Sequence, residues 1–117
     1  MAVRTIIFRG KRIDNGEWVD GSYCHAEKLD RSGDEHFIIE YSANGSSHRV
    51  DPDTVGQYTG LKDKNGKRIF ENGYMIIDKQ TYKVLFDNGE YILKNIFNCD
   101  IIQLKNNSNI GVFVDEI

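Results

Sequence analysis

The chain has 117 residues, with one proline, two cysteines and one tryptophan. No stretch approaches the ~20 consecutive apolar residues that a membrane-spanning helix needs. With Pro52 alone and no Ser/Gly-rich run, a flexible tether between domains is excluded. Cys24 and Cys99 are far apart, and neither belongs to a Cys-x-x-Cys pair. That excludes a disulfide framework or a paired-cysteine zinc motif and points to a reducing compartment. The opening "MAVRTIIFRGKR" lacks the apolar core of a secretory leader, so a soluble cytoplasmic protein is expected. A surplus of charge is missing too: 15 basic residues face 18 acidic ones, net −3. A dedicated duplex-binding protein usually carries a basic surplus on one face. Helical periodicity over any long window is also absent.

Aromatic residues and one dipeptide stand out instead. Six Tyr and six Phe supply much of the burial. Asn-Gly occurs five times, at residues 15–16, 44–45, 65–66, 72–73 and 88–89. Asn-Gly tolerates the positive φ of a type I′ turn and is the strongest short hairpin signal. At Asn88-Gly89 a two-residue loop sets Phe86 opposite Tyr91, Leu85 opposite Ile92 and Val84 opposite Leu93. At Asn44-Gly45 it sets Glu40 opposite Arg49, Ile39 opposite Val50 and Tyr41 opposite His48. At Asn15-Gly16 it pairs Ile13 with Trp18 and Lys11 with Asp20. At Asn65-Gly66 it pairs Leu61 with Phe70 and Asp63 with Arg68. Asn72-Gly73 lies too close to the preceding hairpin and reads as a bulge or tight bend.

The predicted fold is mainly β, built of antiparallel hairpins. Strands are expected near 3–9, 17–24, 36–42, 47–51, 67–71, 74–78, 81–87, 90–95, 99–104 and 110–114, with a polar loop at 30–35. Residues 1–58 form an N-terminal hairpin unit with a helical turn near 51–57, capped by Asp51 with Pro52 at its first position. Residues 59–117 form an SH3-like small barrel packed tightly against it.

No catalytic set emerges. His25, His36, His48, Cys24 and Cys99 are metal-ligating types without ligand spacing, and His48 has a structural partner in Tyr41. Asp51 and Asp53 could serve acid–base or metal chemistry, but a cap and a first-turn acid explain them more cheaply. Gly56-x-x-x-Gly60 lacks the Lys-Ser/Thr of a phosphate loop. Lys62, Lys64, Lys67 and Arg68 beside Tyr58 could hold single-stranded nucleic acid, phosphates on the cations and a base on the ring. The competing reading is a solvated hairpin tip in which Asp63 neutralises Arg68. The tyrosines Tyr23, Tyr41, Tyr58, Tyr74, Tyr82 and Tyr91 exceed what one small barrel hides. Trp18, Tyr23, Tyr41 and Tyr74 are therefore candidate interface residues.

"FRGKRIDNGEWVDGSY" (8–23) followed by "VDPDTVGQYTGLKDKNGKRIFENG" (50–73) resembles the YopX family of phages and prophages of Gram-positive bacteria. The resemblance covers most of the chain. It implies a phage-encoded, mostly β protein with a tendency to self-associate, and it carries over no activity and no catalytic residue. Two departures are visible. Glu71-Asn72-Gly73-Tyr74-Met75 replaces the Glu-Gly-Asp-Ile-Val common in relatives, and the tail "CDIIQLKNNSNIGVFVDEI" lacks their Gly-Asn-Ile-Tyr-Glu-Asn ending. The expected function is a non-enzymatic interaction module, without cofactor or metal and not membrane-bound. Its expected partner is itself or a host or phage protein, with nucleic-acid binding by the basic hairpin as the alternative.

Overall fold

Short strands separated by positive-φ turns dominate the computed structural model, which describes residues 5–27, 33–41 and 44–117. The expected strand start at residues 3–4 and residues 30–32 of the expected loop at 30–35 lie outside those residues, while Asp34 and Glu35 of that loop are in a strand. The described chain is mainly β and every strand pair is antiparallel; the only helical elements are three-residue 3-10 turns. Two compact units are distinguishable, one of residues 6–57 and one of Thr5 with residues 58–117.

The first unit contains β1 (Phe8–Lys11), β2 (Trp18–Glu27), β3 (Asp34–Ile39) and β4 (Ser47–Arg49), paired in that order. The chain beyond β1 then bridges back to the chain beyond β4 at Arg12 and Val50. Around this rung the Ile13 N–H donates to the Arg49 carbonyl (3.0 Å) and the Asp51 N–H to the Lys11 carbonyl (2.9 Å). The sheet therefore closes on itself and buries Val19, Ile38 and Val50, with Phe8, Tyr23 and Val55 packed against them. Closure on so small a radius leaves no room for side chains at two places. A Cβ on Gly10 would lie 2.9 Å from that of Val50, and one on Gly21 would lie 2.0 Å from the Ile39 carbonyl oxygen.

Closure also corrects two expected registers. Lys11 faces Trp18 rather than Asp20, because the next residues leave β2 to join β4. The Asn15-Gly16 turn is accordingly a longer loop, closed by Arg12 N–H to the Glu17 carbonyl and by the Asn15 side chain accepting from the Glu17 N–H. At Asn44-Gly45 the observed pairs are Ile39–Ser47, Ile38–His48 and Phe37–Arg49, three residues away from the expected set. An odd shift exchanges the two faces of a strand, and here it turns Ile38 instead of Ile39 inward, alongside Val50.

Asp51 caps a 3-10 turn at Pro52–Thr54, its Oδ1 accepting the Asp53 N–H at 3.0 Å, as the sequence predicts. The helical stretch ends there. Residues 56–62, partly assigned to that turn, form β5 (Gly56–Lys62), whose Gly56 and Gln57 pair with Arg9 and Phe8.

The second unit takes up β5 from Tyr58, then β6 (Arg68–Phe70), β7 (Tyr74–Ile77), β8 (Gln80–Asp87), β9 (Glu90–Asn95) and β10 (Ile101–Gln103). Two 3-10 turns (Leu104–Asn106 and Ser108–Ile110) lead into β11 (Val112–Val114). Five of these strands form an antiparallel sheet in the order β10-β9-β8-β7-β11, so the first strand lies between the second and the last. The Asn88-Gly89 hairpin has the predicted register throughout. The β7–β8 hairpin turns instead on Asp78-Lys79, both at positive φ, a type I′ corner made without glycine. Asn72, at φ 71°, makes the expected tight bend, its N–H donating to the Val84 carbonyl. Ile69, Met75, Val84, Leu93, Leu104 and Phe113 form the buried centre of this unit.

Candidate interaction surface

The β9–β10 turn carries the most exposed large apolar side chain described, Phe97, at 84%. The loop that carries it is fixed. Asn95, 3% exposed, accepts the Phe97 N–H (2.9 Å) and the Asn98 N–H (3.2 Å) on Oδ1 and donates from Nδ2 to Gln80 Oε1 (2.7 Å). The Cys99 N–H returns to the Asn95 carbonyl, with Cys99 at φ 65°. A buried amide thus holds an ordered loop whose outward product is a phenyl ring in water. Ile96 and Ile101 continue the apolar surface into β10, Ile101 being 58% exposed. Sequence reasoning missed this surface, because "NIFNCD" reads equally well as a buried turn.

The two edges of the five-stranded sheet differ. At β11, Asp63 Oδ2 accepts the Phe113 N–H at 2.8 Å and the Lys64 N–H donates to the Gly111 carbonyl at 3.2 Å, so the neighbouring loop covers that edge. At β10 the Asn95 N–H donates to the Asp100 carbonyl. Antiparallel alternation then directs the backbone groups of Ile102 at β9 and those of Ile101 and Gln103 outward. Consistently, the Gln103 carbonyl is reached from outside β9 by Asn107 Nδ2 (2.7 Å). Among the described residues no backbone group pairs with that outer side.

Asp63 is also the point where the basic hairpin departs from expectation. It does not face Arg68; β5 and β6 pair Tyr58 with Phe70 and Lys62 with Arg68, with a bulge between. The carboxylate turns inward, 5% exposed, and Oδ1 accepts the Asn65 and Lys67 N–H groups, both at 2.9 Å. Burial pushes its pKa up, but the three backbone donors and the Lys67 charge outweigh this and hold it below the usual carboxylate value. Lys62, Lys64, Lys67 and Arg68 remain exposed. Tyr58 is not: at 7% exposure it packs on Phe70 (5.6 Å between ring centroids) with the Arg68 guanidinium 5.3 Å from its own centroid. Lys67 Nζ lies 4.0 Å from Asp115.

The proposed interface aromatics are placed unevenly. Tyr41 is 64% exposed and donates its hydroxyl to the Ile6 carbonyl (3.0 Å). Trp18 is half-buried with the Arg9 guanidinium 4.1 Å from its ring centroid. Tyr23 is half-buried between Phe8 and His36, and Tyr74 is half-buried on β7. His48 pairs with Glu40 Oε2 at 3.0 Å instead of with Tyr41.

All three histidines lie on the inward face of the first unit's sheet, where His25 stacks on His36 (5.0 Å) and hydrogen-bonds Asp34 (2.8 Å), while His36 meets the Tyr23 hydroxyl. Among the described residues no three His, Cys, Asp or Glu side chains converge as a metal site would require. Two shallow cavities of about 410 and 250 Å3 share Arg12 and Ile13. Their central cation is already matched: Asp14 accepts from Arg12 at 2.7 and 3.0 Å, a pairing that raises the guanidinium pKa and lowers that of the carboxylate.

What these features define is a mainly β chain of hairpins whose five-stranded sheet has one edge covered by a loop and the other met by a single side chain, with an ordered apolar protrusion beside the latter. The chain belongs to the YopX protein family, whose model matches residues 7–114. No curated protein matches it. No described helix is long and apolar enough to cross a membrane.

Proposed function

We propose that this YopX-family chain is a phage- or prophage-encoded, non-enzymatic module that works through protein contacts in the cytoplasm of a bacterial host, chiefly with copies of itself. The supporting observation is Phe97, kept in solvent by an ordered loop that a buried asparagine pins in place. Burying a phenylalanine side chain is worth roughly 1.5–3 kcal/mol, so a fixed exposed ring is a ready anchor for a partner surface. Light scattering behind size-exclusion chromatography tests this. The chain is expected to associate, and Phe97→Ser to weaken association at least ~10-fold, about 1.4 kcal/mol, without lowering the melting temperature. A strict monomer at the highest attainable concentration overturns the reading.

A second reading, nucleic-acid binding by the hairpin at 62–68, gains from one feature: Asp63 is committed to backbone amides and does not neutralise Arg68. It loses its stacking platform, because Tyr58 is buried beneath Arg68. What remains is phosphate contact by Lys62, Lys64 and Arg68, whose affinity for single strands must fall steeply with salt. A titration showing no binding at low salt removes it.

A further inference from the structure

We propose that β10 is the seam of self-association, pairing antiparallel with β10 of a second copy about a two-fold axis. This rests on the self-association proposed above and adds its location and geometry. A sheet edge presents a row of unpaired N–H and C=O groups that another strand can extend, and proteins usually blunt such edges with proline, lysine, a bulge or a covering segment. The covering device is present at β11, where Asp63 and Lys64 occupy the edge. At β10 no loop backbone covers the edge among the described residues; Asn107 Nδ2 donates to the Gln103 carbonyl, an oxygen that has a second lone pair, and the strand itself, Ile101-Ile102-Gln103, contains neither proline nor charge.

The outward groups define the register. Only Ile101 and Gln103 point away from β9, and strands pair through residues whose backbone groups face each other. In an antiparallel arrangement Ile101 then lies opposite Gln103 of the second copy, and Ile102 lies on the axis. The reciprocal pair forms by symmetry, which makes the contact self-complementary and closed.

Charge favours the same orientation. Asp100 precedes the strand and Lys105 follows it. Antiparallel pairing brings each acid within one position of the other copy's base, whereas parallel pairing would align like with like. The exposed Ile101 and the fixed Phe97 flank the edge and supply the apolar area that three residues of ladder could not.

The test uses the full chain and two substitutions at Ile101, an exposed position whose side chain contributes little to the core. Ile101→Lys adds an edge charge, and Ile101→Pro removes an outward N–H. Both are expected to leave the melting temperature near that of the parent and to weaken self-association at least tenfold in light scattering. In the parent, amide exchange at Ile101 and Gln103 should slow as concentration rises. If the parent associates while both variants associate equally well, or if these two amides stay unprotected in the associated state, the seam is elsewhere and self-association alone survives. A parent that is monomeric at every concentration overturns both. A monomer that instead takes a foreign extended peptide along β10 overturns the choice of a second copy.

Discussion

Replacing Asp63 with alanine is expected to lower the melting temperature by roughly 10–20 °C, the largest loss expected from a single polar side chain in the chain. Asp63 is buried and satisfies three backbone N–H groups, those of Asn65, Lys67 and Phe113. The first two build the β5–β6 loop, and the third fastens that loop to the last strand. Alanine leaves all three donors without an acceptor in a place with little water. A buried unsatisfied group costs about 1–3 kcal/mol, and because the three are coupled through one side chain the sum is expected near 3–5 kcal/mol rather than the full total. Asp63→Asn keeps one strong acceptor oxygen and should fall between the two. Thermal denaturation followed by circular dichroism measures all three proteins.

The same carboxylate sets a pH dependence. Its folded pKa is depressed, so the folded state binds the proton less readily than the unfolded chain does. Its stabilisation is therefore fully present above the unfolded value of about 3.9 and is lost as pH falls through the lower folded value. The stability gap between the parent and Asp63→Asn should be constant at neutral pH and shrink below about pH 4. A gap that grows on acidification would show that another group carries the effect.

Gly21→Ala is the second large effect. Its φ is not in the left-handed region, so backbone strain plays no part. The obstacle is a Cβ placed 2.0 Å from the Ile39 carbonyl oxygen and 2.7 Å from its carbon. Those atoms are backbone and cannot rotate away. Relieving the clash means separating β2 from the end of β3 in a unit whose sheet closes on itself. Overpacking usually costs 1–3 kcal/mol; with a rigid neighbour the loss should be about 3 kcal/mol or more. Gly10→Ala meets the Val50 side chain at 2.9 Å and should be milder. Urea unfolding of the two variants gives the ranking, and a Gly21→Ala protein as stable as Gly10→Ala would contradict it.

How far these features were legible depends on what each residue's neighbours were. Around Asn88-Gly89 the turn, the faces and the register could all be read, because the two strands are adjacent in sequence and pair with each other from the turn outward without interruption. Around Asn15-Gly16 and Asn44-Gly45 the same dipeptide marked a turn but not its length. Arg12 and Val50 pull the strand ends into a contact between distant segments, and that contact, not the dipeptide, sets the loops. Asp63 looked like a surface counter-ion to Arg68. The available signal was its position two residues before Asn65-Gly66, where a carboxylate commonly accepts from its own loop's amides. Its third bond, to Phe113, comes from fifty residues away and leaves no local trace. The block "TGLKDKNGK", which carries the family resemblance, is thus held by a structural clamp. Phe97 was illegible for a different reason: burial of an aromatic is the default expectation, and only the fold shows that its loop faces out.

The single rung between Arg12 and Val50 has a consequence for the first unit as a machine. Every other neighbouring pair among β1 to β4 is joined by a hairpin and can zip from its own loop, whereas this rung joins segments that meet only after the chain has gone all the way round. Its entropy of closure exceeds that of every hairpin among β1 to β4, so among their contacts it should form last and open first, turning a ring into a ribbon while the remaining ladders stay intact.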